Sequence, residues 1–235
     1  MNYDEVMQKL EELGSEQIKK IYMNHGAKEP CFGVKTGDLK KLVKNIKKDH
    51  ELALKLYDSG VYDAMYLAGL AVNPKSMTKE ILQDWVKKAY CYTLAEYTVA
   101  QVAAESDFAL ELAREWMGAG EEMVAVAGWS TYANYLSITP DAELDIDEIR
   151  TLLEKVKNTV HDERNRVRYV MNSFVISAGT YVPELTDEAK MVGEAIGKIH
   201  VDVGNTACKV PLAKEYIEKV ESKGKIGKKR KTCIC

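Results

Sequence analysis

The chain has 235 residues, with 33 Lys+Arg against 36 Asp+Glu and only 5 prolines. That length suits one large domain or two small ones, and 46% hydrophobic with 29% charged residues excludes a disordered, collagen-like or disulfide-scaffold chain. The net charge of -3 argues against a uniformly basic nucleic-acid protein, but the average hides a distribution. Residues 1–119 hold 16 basic and 18 acidic groups, residues 120–199 hold 8 and 14, and residues 200–235 hold 9 and 4. The cysteines, Cys31, Cys91, Cys208, Cys233 and Cys235, are odd in number. The first residues lack a basic stretch followed by an apolar run, so a reducing cytoplasm is the expected compartment. No apolar stretch approaches the roughly 18 residues of a membrane span, and no membrane partner is expected.

Taken in chain order, the elements read as helices. Leu39, Leu42, Val43 and Ile46 recur at helical spacing after Thr36 and Asp38, which can cap. Leu52, Leu56 and Tyr57 follow, then Val61, Met65 and Tyr66. Ser76 or Thr78 starts a helix carrying Ile81, Leu82, Trp85 and Val86; Asp107 starts one carrying Leu110 and Trp116; Asp145 starts one carrying Ile149, Leu152 and Val156. About a dozen helices and no strand are predicted. Connections such as Asp58–Gly60, Gly118–Gly120 and Thr139–Glu143 are short enough to force antiparallel neighbours. Paired helices recurring roughly every 35 to 45 residues predict an all-α, HEAT-like (armadillo-type) α-solenoid, with a compact non-repeating bundle as the alternative. The expected organisation is one repeat domain over residues 1–222 and a flexible basic tail over 223–235, whose residues 223–231 hold six basic groups and no acid.

Many standard sites are absent: there is no phosphate loop, no G-x-S-x-G, no H-E-x-x-H and no paired C-x-x-C. His25, His50, His161 and His200 lack ligand spacing, so no metal and no cofactor are expected. Tyr92 and Glu96 lie four apart and share a helix face, where a carboxylate beside an aromatic ring stabilises developing positive charge; a packed, tyrosine-rich helix with a solvated Glu is the competing reading. Arg164 and Arg168 share a face and can reach successive phosphates, or they pair with Asp162 and Glu163 instead. The basic tail either grips phosphate backbones or serves solubility. Cys233 and Cys235 do not complete a prenylation motif, because the required cysteine position holds Thr232.

Three segments carry a resemblance: Cys31-Phe-Gly-Val-Lys-Thr-Gly-Asp-Leu-Lys-Lys-Leu42, Leu52–Gly60 with Asp63–Ala68, and Asn73–Lys87 running into the Tyr92 and Glu96 helix. Together they resemble the DNA alkylation-repair family of HEAT-like repeat proteins, the AlkD-type alkylpurine DNA glycosylases and their relatives. The likeness is specific over about residues 28–135 and looser to about residue 190. A later segment, Val201–Pro211, is similar to one found in a subgroup of that family.

The resemblance implies a basic concave groove for duplex DNA and excision of positively charged alkylpurines without a tight base pocket. It also implies that a carboxylate and aromatic faces stabilise the sugar cation. Where active members have Trp-x-x-x-Asp, this chain has Tyr92 and Glu96; where they have Arg-Ala-Gly-Phe, it reads Val126-Ala-Gly-Trp129, without the arginine. The second aromatic platform falls at Ile176, or at Phe174 with a small alignment shift.

The expectation is a monomeric DNA-binding protein with weak or lost base excision. Glu96 and Tyr92 are the candidate catalytic pair, and Lys35, Lys40, Lys41, Lys44, Trp129, Arg164 and Arg168 the candidate DNA contacts. An active glycosylase and a protein-interaction scaffold are the rivals.

Overall fold

The computed structural model describes residues 1–46 and 49–234, and every regular element among them is helical. The chain forms two compact units. The first comprises Met1–Phe108 with residues 204–206 and the chain end; the second comprises Ala109–Val203 and Ala207–Cys233.

The first unit contains α1 (Tyr3–Leu13), α2 (Glu16–Asn24), α3 (Thr36–Ile46), α4 (His50–Asp58), α5 (Tyr62–Ala71), α6 (Lys79–Lys88), α7 (Tyr92–Leu94) and α8 (Ala100–Glu105). A π-helical turn, Ala95–Val99, joins α7 to α8. Helix starts follow side-chain chemistry: Asn2 and Glu5 form a reciprocal capping box, Asp49 accepts from the Leu52 N–H, and Thr78 from the Ile81 N–H. Of the two cap candidates before Ile81, Thr78 is therefore the one used. Around α5, which has Tyr62, Met65, Leu67 and Leu70 all buried, the amphipathic α1, α3 and α4 lay their apolar stripes. Tyr57 of α4 stacks on Trp85 of α6 at 3.9 Å, and its hydroxyl donates to the Trp85 carbonyl at 2.7 Å.

The second unit contains α9 (Ala109–Met117), α10 (Glu122–Ile138), α11 (Ile146–Thr159), α12 (Asn165–Tyr181), α13 (Thr186–Ile196) and α14 (Ala213–Glu221). Odd-numbered helices begin at Ala109, Ile146 and Thr186, within the predicted repeat spacing. Stacking is by layer: α11 touches α13, while α10 touches α12 and α12 touches α14. Two layers of helices, each buried against the other, are the repeat-protein solution to burying one apolar stripe per helix. Within this unit α10 is buried on nearly every side, whereas α14 keeps a single buried stripe of Ala213 and Ile217. In α10, Val126, Trp129, Tyr132 and Leu136 are all at most 1% exposed. Gly128 permits the closest approach, since a Cβ there would lie 2.4 Å from the Met117 backbone nitrogen.

Ion pairs tie α9 to α11, α11 to α13 and α13 to α14. Arg114 of α9 makes a two-pronged contact with Glu148 of α11, at 2.6 and 2.8 Å, and the Tyr132 hydroxyl donates to the same carboxylate at 2.7 Å. Arg150 reaches Glu184 and Glu188, and Lys190 reaches Glu221.

The expected flexible tail is instead folded onto the second unit. The Gly227 N–H donates to the Thr180 carbonyl at 2.9 Å, the Arg230 N–H to the Ser137 carbonyl at 2.7 Å, and Cys233 is fully buried. Low sequence complexity did not prevent order here, because the last-turn carbonyls of α10 and α12 lack helical partners and supply acceptors. Cys235 lies outside the described residues.

Candidate nucleic-acid interface

Lys35, Lys40, Lys41 and Lys44 are all exposed at the start and along the outer side of α3, whose opposite side buries Leu39, Leu42 and Ile46. Lys41 is partly engaged by Asp38 at 2.8 Å. Lys35, Lys40 and Lys44 make no ion pair among the described residues; Lys48, also in this basic run, lies outside them. Three of the four described cations therefore share one short helix, and Lys35 immediately precedes it.

The orientation of that helix is fixed from beneath. Asp63, fully buried at the start of α5, accepts the backbone N–H groups of Phe32 at 2.6 Å, Gly33 at 3.3 Å and Val34 at 2.7 Å. Tyr22 donates to the Val34 carbonyl at 2.7 Å. Gly33 has φ +76°, and a Cβ there would fall 2.4 Å from the Lys19 nitrogen. The Cys31–Leu42 segment is thus a fastened loop delivering Lys35 and α3. Burial, then the Asp63 charge, pushes the Cys31 thiol up to about 12, so it stays protonated and serves as a packed group. Sequence spacing gave no sign of Asp63, because a buried carboxylate satisfied by backbone N–H groups looks like any first-turn acid.

Tyr92 and Glu96 occupy a helix that departs from regular geometry. The Ala100 N–H bonds to the Ala95 carbonyl, an i to i+5 pattern that widens one turn. Gly69 of α5 lies against this turn, where a Cβ would meet Thr98 Cγ2 at 2.6 Å. Glu96 is only 6% exposed, while Tyr97 beside it is 41% exposed. Tyr92 is half-buried, and its hydroxyl is hydrogen-bonded to His25 Nδ1 beyond the end of α2, with the two rings edge-to-face at 6.0 Å. His25 lacks metal-ligand spacing and caps the end of α2; its contact with Tyr92, across 67 residues, leaves no local signature in the sequence. The pair retained from the resemblance is therefore a largely enclosed carboxylate and a tethered phenol.

The residues expected to touch DNA in the second unit are differently placed. Trp129 is 1% exposed, wedged edge-on against Phe174 at 5.3 Å, so it is a core side chain and not the surface contact expected of it. Both are core because they lie on sides of α10 and α12 that pack against each other, which periodicity alone does not distinguish from a groove-lining face. Phe174 is also removed as an aromatic platform, leaving the half-buried Ile176. Val126, at the position of the missing arginine, is fully buried.

Arg164 is half-buried and donates through Nη1 to the Ala119 and Gly120 carbonyls at 2.9 and 2.6 Å, and its Nε contacts Glu163. Its guanidinium ties down the turn that follows α9, so most of its donors are already committed. Arg168, one turn along, lies 3.5 Å from Asn165 Oδ1 and has its Nε buried without a partner among the described residues. Between them Arg166, 8% exposed, lies over the Tyr169 ring at 3.8 Å.

The Val201–Pro211 segment is held by two asparagines of α12. Asn165 exchanges two hydrogen bonds with the Asp202 backbone, at 2.8 and 2.7 Å, and Asn172 donates to the Pro211 carbonyl at 2.9 Å. Among the described residues no cluster of His, Cys, Asp or Glu is placed to hold a metal ion, and no helix is long and apolar enough to cross a membrane.

Comparison with known proteins matches this arrangement over its length. A family profile described as DNA alkylation repair enzyme covers residues 6–216. An uncharacterised protein of Listeria monocytogenes is 37% identical over 231 residues, spanning 96% of this chain and all of the relative. A second, from Listeria innocua, is 35% identical over 229 residues, spanning 95% and 99%. A solved structure described as a new family of proteins related to the HEAT-like repeat DNA glycosylases, with affinity for branched DNA structures, superposes with a TM-score of 0.92 at 38% identity over 100% of both chains. With its layered helices and a family match spanning nearly the whole sequence, the chain belongs to the DNA alkylation repair enzyme family and has its HEAT-like repeat fold.

Proposed function

We propose that this protein binds branched DNA through backbone contacts, as a cytoplasmic monomer, with weak or no excision of alkylated purines. The observation that carries the reading is the full-length likeness to a protein described as having affinity for branched DNA. The exposed cations of α3, held rigidly by the Asp63 staple, support it by offering phosphate contacts that position without reading sequence. Arg168 is a lesser contributor, and Arg164 is assigned chiefly to its own turn.

Two observations support reduced chemistry. Val126, where the resemblance places a phosphate-gripping arginine, is fully buried, and the acid Glu96 is enclosed. Each lost transition-state contact of this kind costs about 3 kcal/mol, or roughly a hundredfold in rate. The test is a titration on linear duplex and four-way junction DNA, run beside base release from methylated DNA. Junction binding tighter than duplex binding, with release at background, is expected; no affinity for either DNA at low salt overturns the reading.

Active excision is the second reading, favoured by retention of Tyr92 and Glu96 on one helix with His25 holding the phenol. Release of 7-methylguanine or 3-methyladenine that disappears in Glu96→Gln would establish it.

A further inference from the structure

The C-terminal basic run divides its charges between two tasks. From Ser222 to Cys233 there is no acidic residue, and six are Lys or Arg. Lys229 turns into the fold: its Nζ donates to the Leu136 carbonyl at 3.0 Å and pairs with Asp141 at 2.8 Å, leaving the side chain 19% exposed. Gly227 and Arg230 donate their backbone N–H groups to the last turns of α12 and α10. Gly227, with φ +73°, lies so close to Pro183 that a Cβ would come within 2.7 Å of its ring. The segment is therefore a fixed strap over two helix C-termini, where cations and N–H donors meet the negative end of each helix dipole.

Lys223, Lys225, Lys228 and Lys231 are exposed on this strap and have no ion pair among the described residues. We propose that these four lysines form a second phosphate-backbone contact surface for DNA, distinct from α3. The inference rests on the DNA-binding reading above, and charge complementarity identifies the occupant. Four cations without an intervening acid, on a chain of net charge -3, are held in place before binding, so engagement orders only their side chains. A free tail of the same composition would lose backbone freedom as well.

The experiment measures affinity for duplex and junction DNA across a salt series, using the full chain. The Lys223→Gln, Lys225→Gln, Lys228→Gln, Lys231→Gln variant is compared with wild type and with the same four positions changed to Arg. Loss of each phosphate contact lowers the slope of log K against log salt by about 0.9, so a reduction of roughly 2 to 4 is expected, with thermal stability retained. The arginine variant restores the wild-type slope. Lys229→Gln does the opposite, lowering thermal stability while keeping the slope. If wild type binds and the glutamine variant keeps its slope and affinity, the strap surface is overturned while DNA binding stands. If wild type binds neither DNA, the underlying reading fails, and the strap inference with it.

Discussion

Asp63 has more influence over the proposed interface than any lysine that touches it. Its carboxylate accepts three backbone N–H groups that nothing else in the loop satisfies, and it has no exposure to water. Asp63→Ala leaves buried donors unpaired, at about 1 to 3 kcal/mol for each one not rescued by water. The expected result is a denaturation midpoint lowered by a few kcal/mol equivalent, with DNA affinity falling in step as α3 loses its anchor. Val126 provides the reciprocal case. Val126→Arg, which introduces the arginine that the resemblance places there, is not expected to raise base release, because the side chain starts from a fully buried position. An unpaired guanidinium there costs several kcal/mol, so the variant is expected to be insoluble or markedly destabilised in thermal unfolding.

At the scale of elements, the joint between α9 and α11 has a defined pH dependence. The Arg114 guanidinium holds the Glu148 carboxyl below its ordinary value, with the Tyr132 hydroxyl adding to this against the opposing effect of burial. Burial, then the hydrogen bond to Glu148, raises Tyr132 above the usual phenol range. A depressed carboxyl contributes stability at pH values above its unfolded pKa, and that contribution is lost as pH falls through the lower folded value. Wild type is therefore expected to lose stability faster than Glu148→Gln between about pH 5 and pH 3, read as midpoint against pH in denaturant. A parallel fall in both proteins would remove this pair from the acid response.

Much at this scale was legible beforehand. Thr78 and Asp145 cap as their positions suggest, and the buried faces of α3 and α6 follow the predicted apolar periodicity, whereas α11 buries Leu153 in place of the expected Leu152 between Ile149 and Val156. What could not be read was which side of each long helix is buried. Trp129 sits in a helix buried on nearly every side and Phe174 on the buried side of α12, and a sequence gives such a residue no marker separating core from groove. The same limit hid the His25–Tyr92 bond and the Asp63 staple, which depend on chain segments meeting in space.

For the whole molecule, charge is a matter of location. A net value of -3 coexists with a lysine-bearing α3 and a strap of exposed lysines, because the acidic excess is concentrated in residues 120–199, with 14 acids against 8 bases, while residues 200–235 hold 9 bases against 4 acids. The strap also binds the fold to its own end. Truncation after Ser222 uncovers the Ser137 and Thr180 carbonyls and the space filled by Cys233. The shortened chain is expected to unfold several degrees lower, in line with a loss of about 2 kcal/mol or more. An unchanged melting temperature would mean that the strap rests on the fold without supporting it.

The widened turn at Ala95–Val99 places a phase step in the sequence. A straight helix repeats every 3.6 residues, so one extra residue accommodated in a single turn rotates everything downstream by about 100°. Gapless alignment of this helix with a straight counterpart equates residues on different sides from Ala100 onward, although Tyr92 upstream remains in register. Removing one residue from the turn would offer the interior a different set of side chains in place of Val102 and Ala103. The length of this segment is thus part of its information, independent of which amino acids fill it.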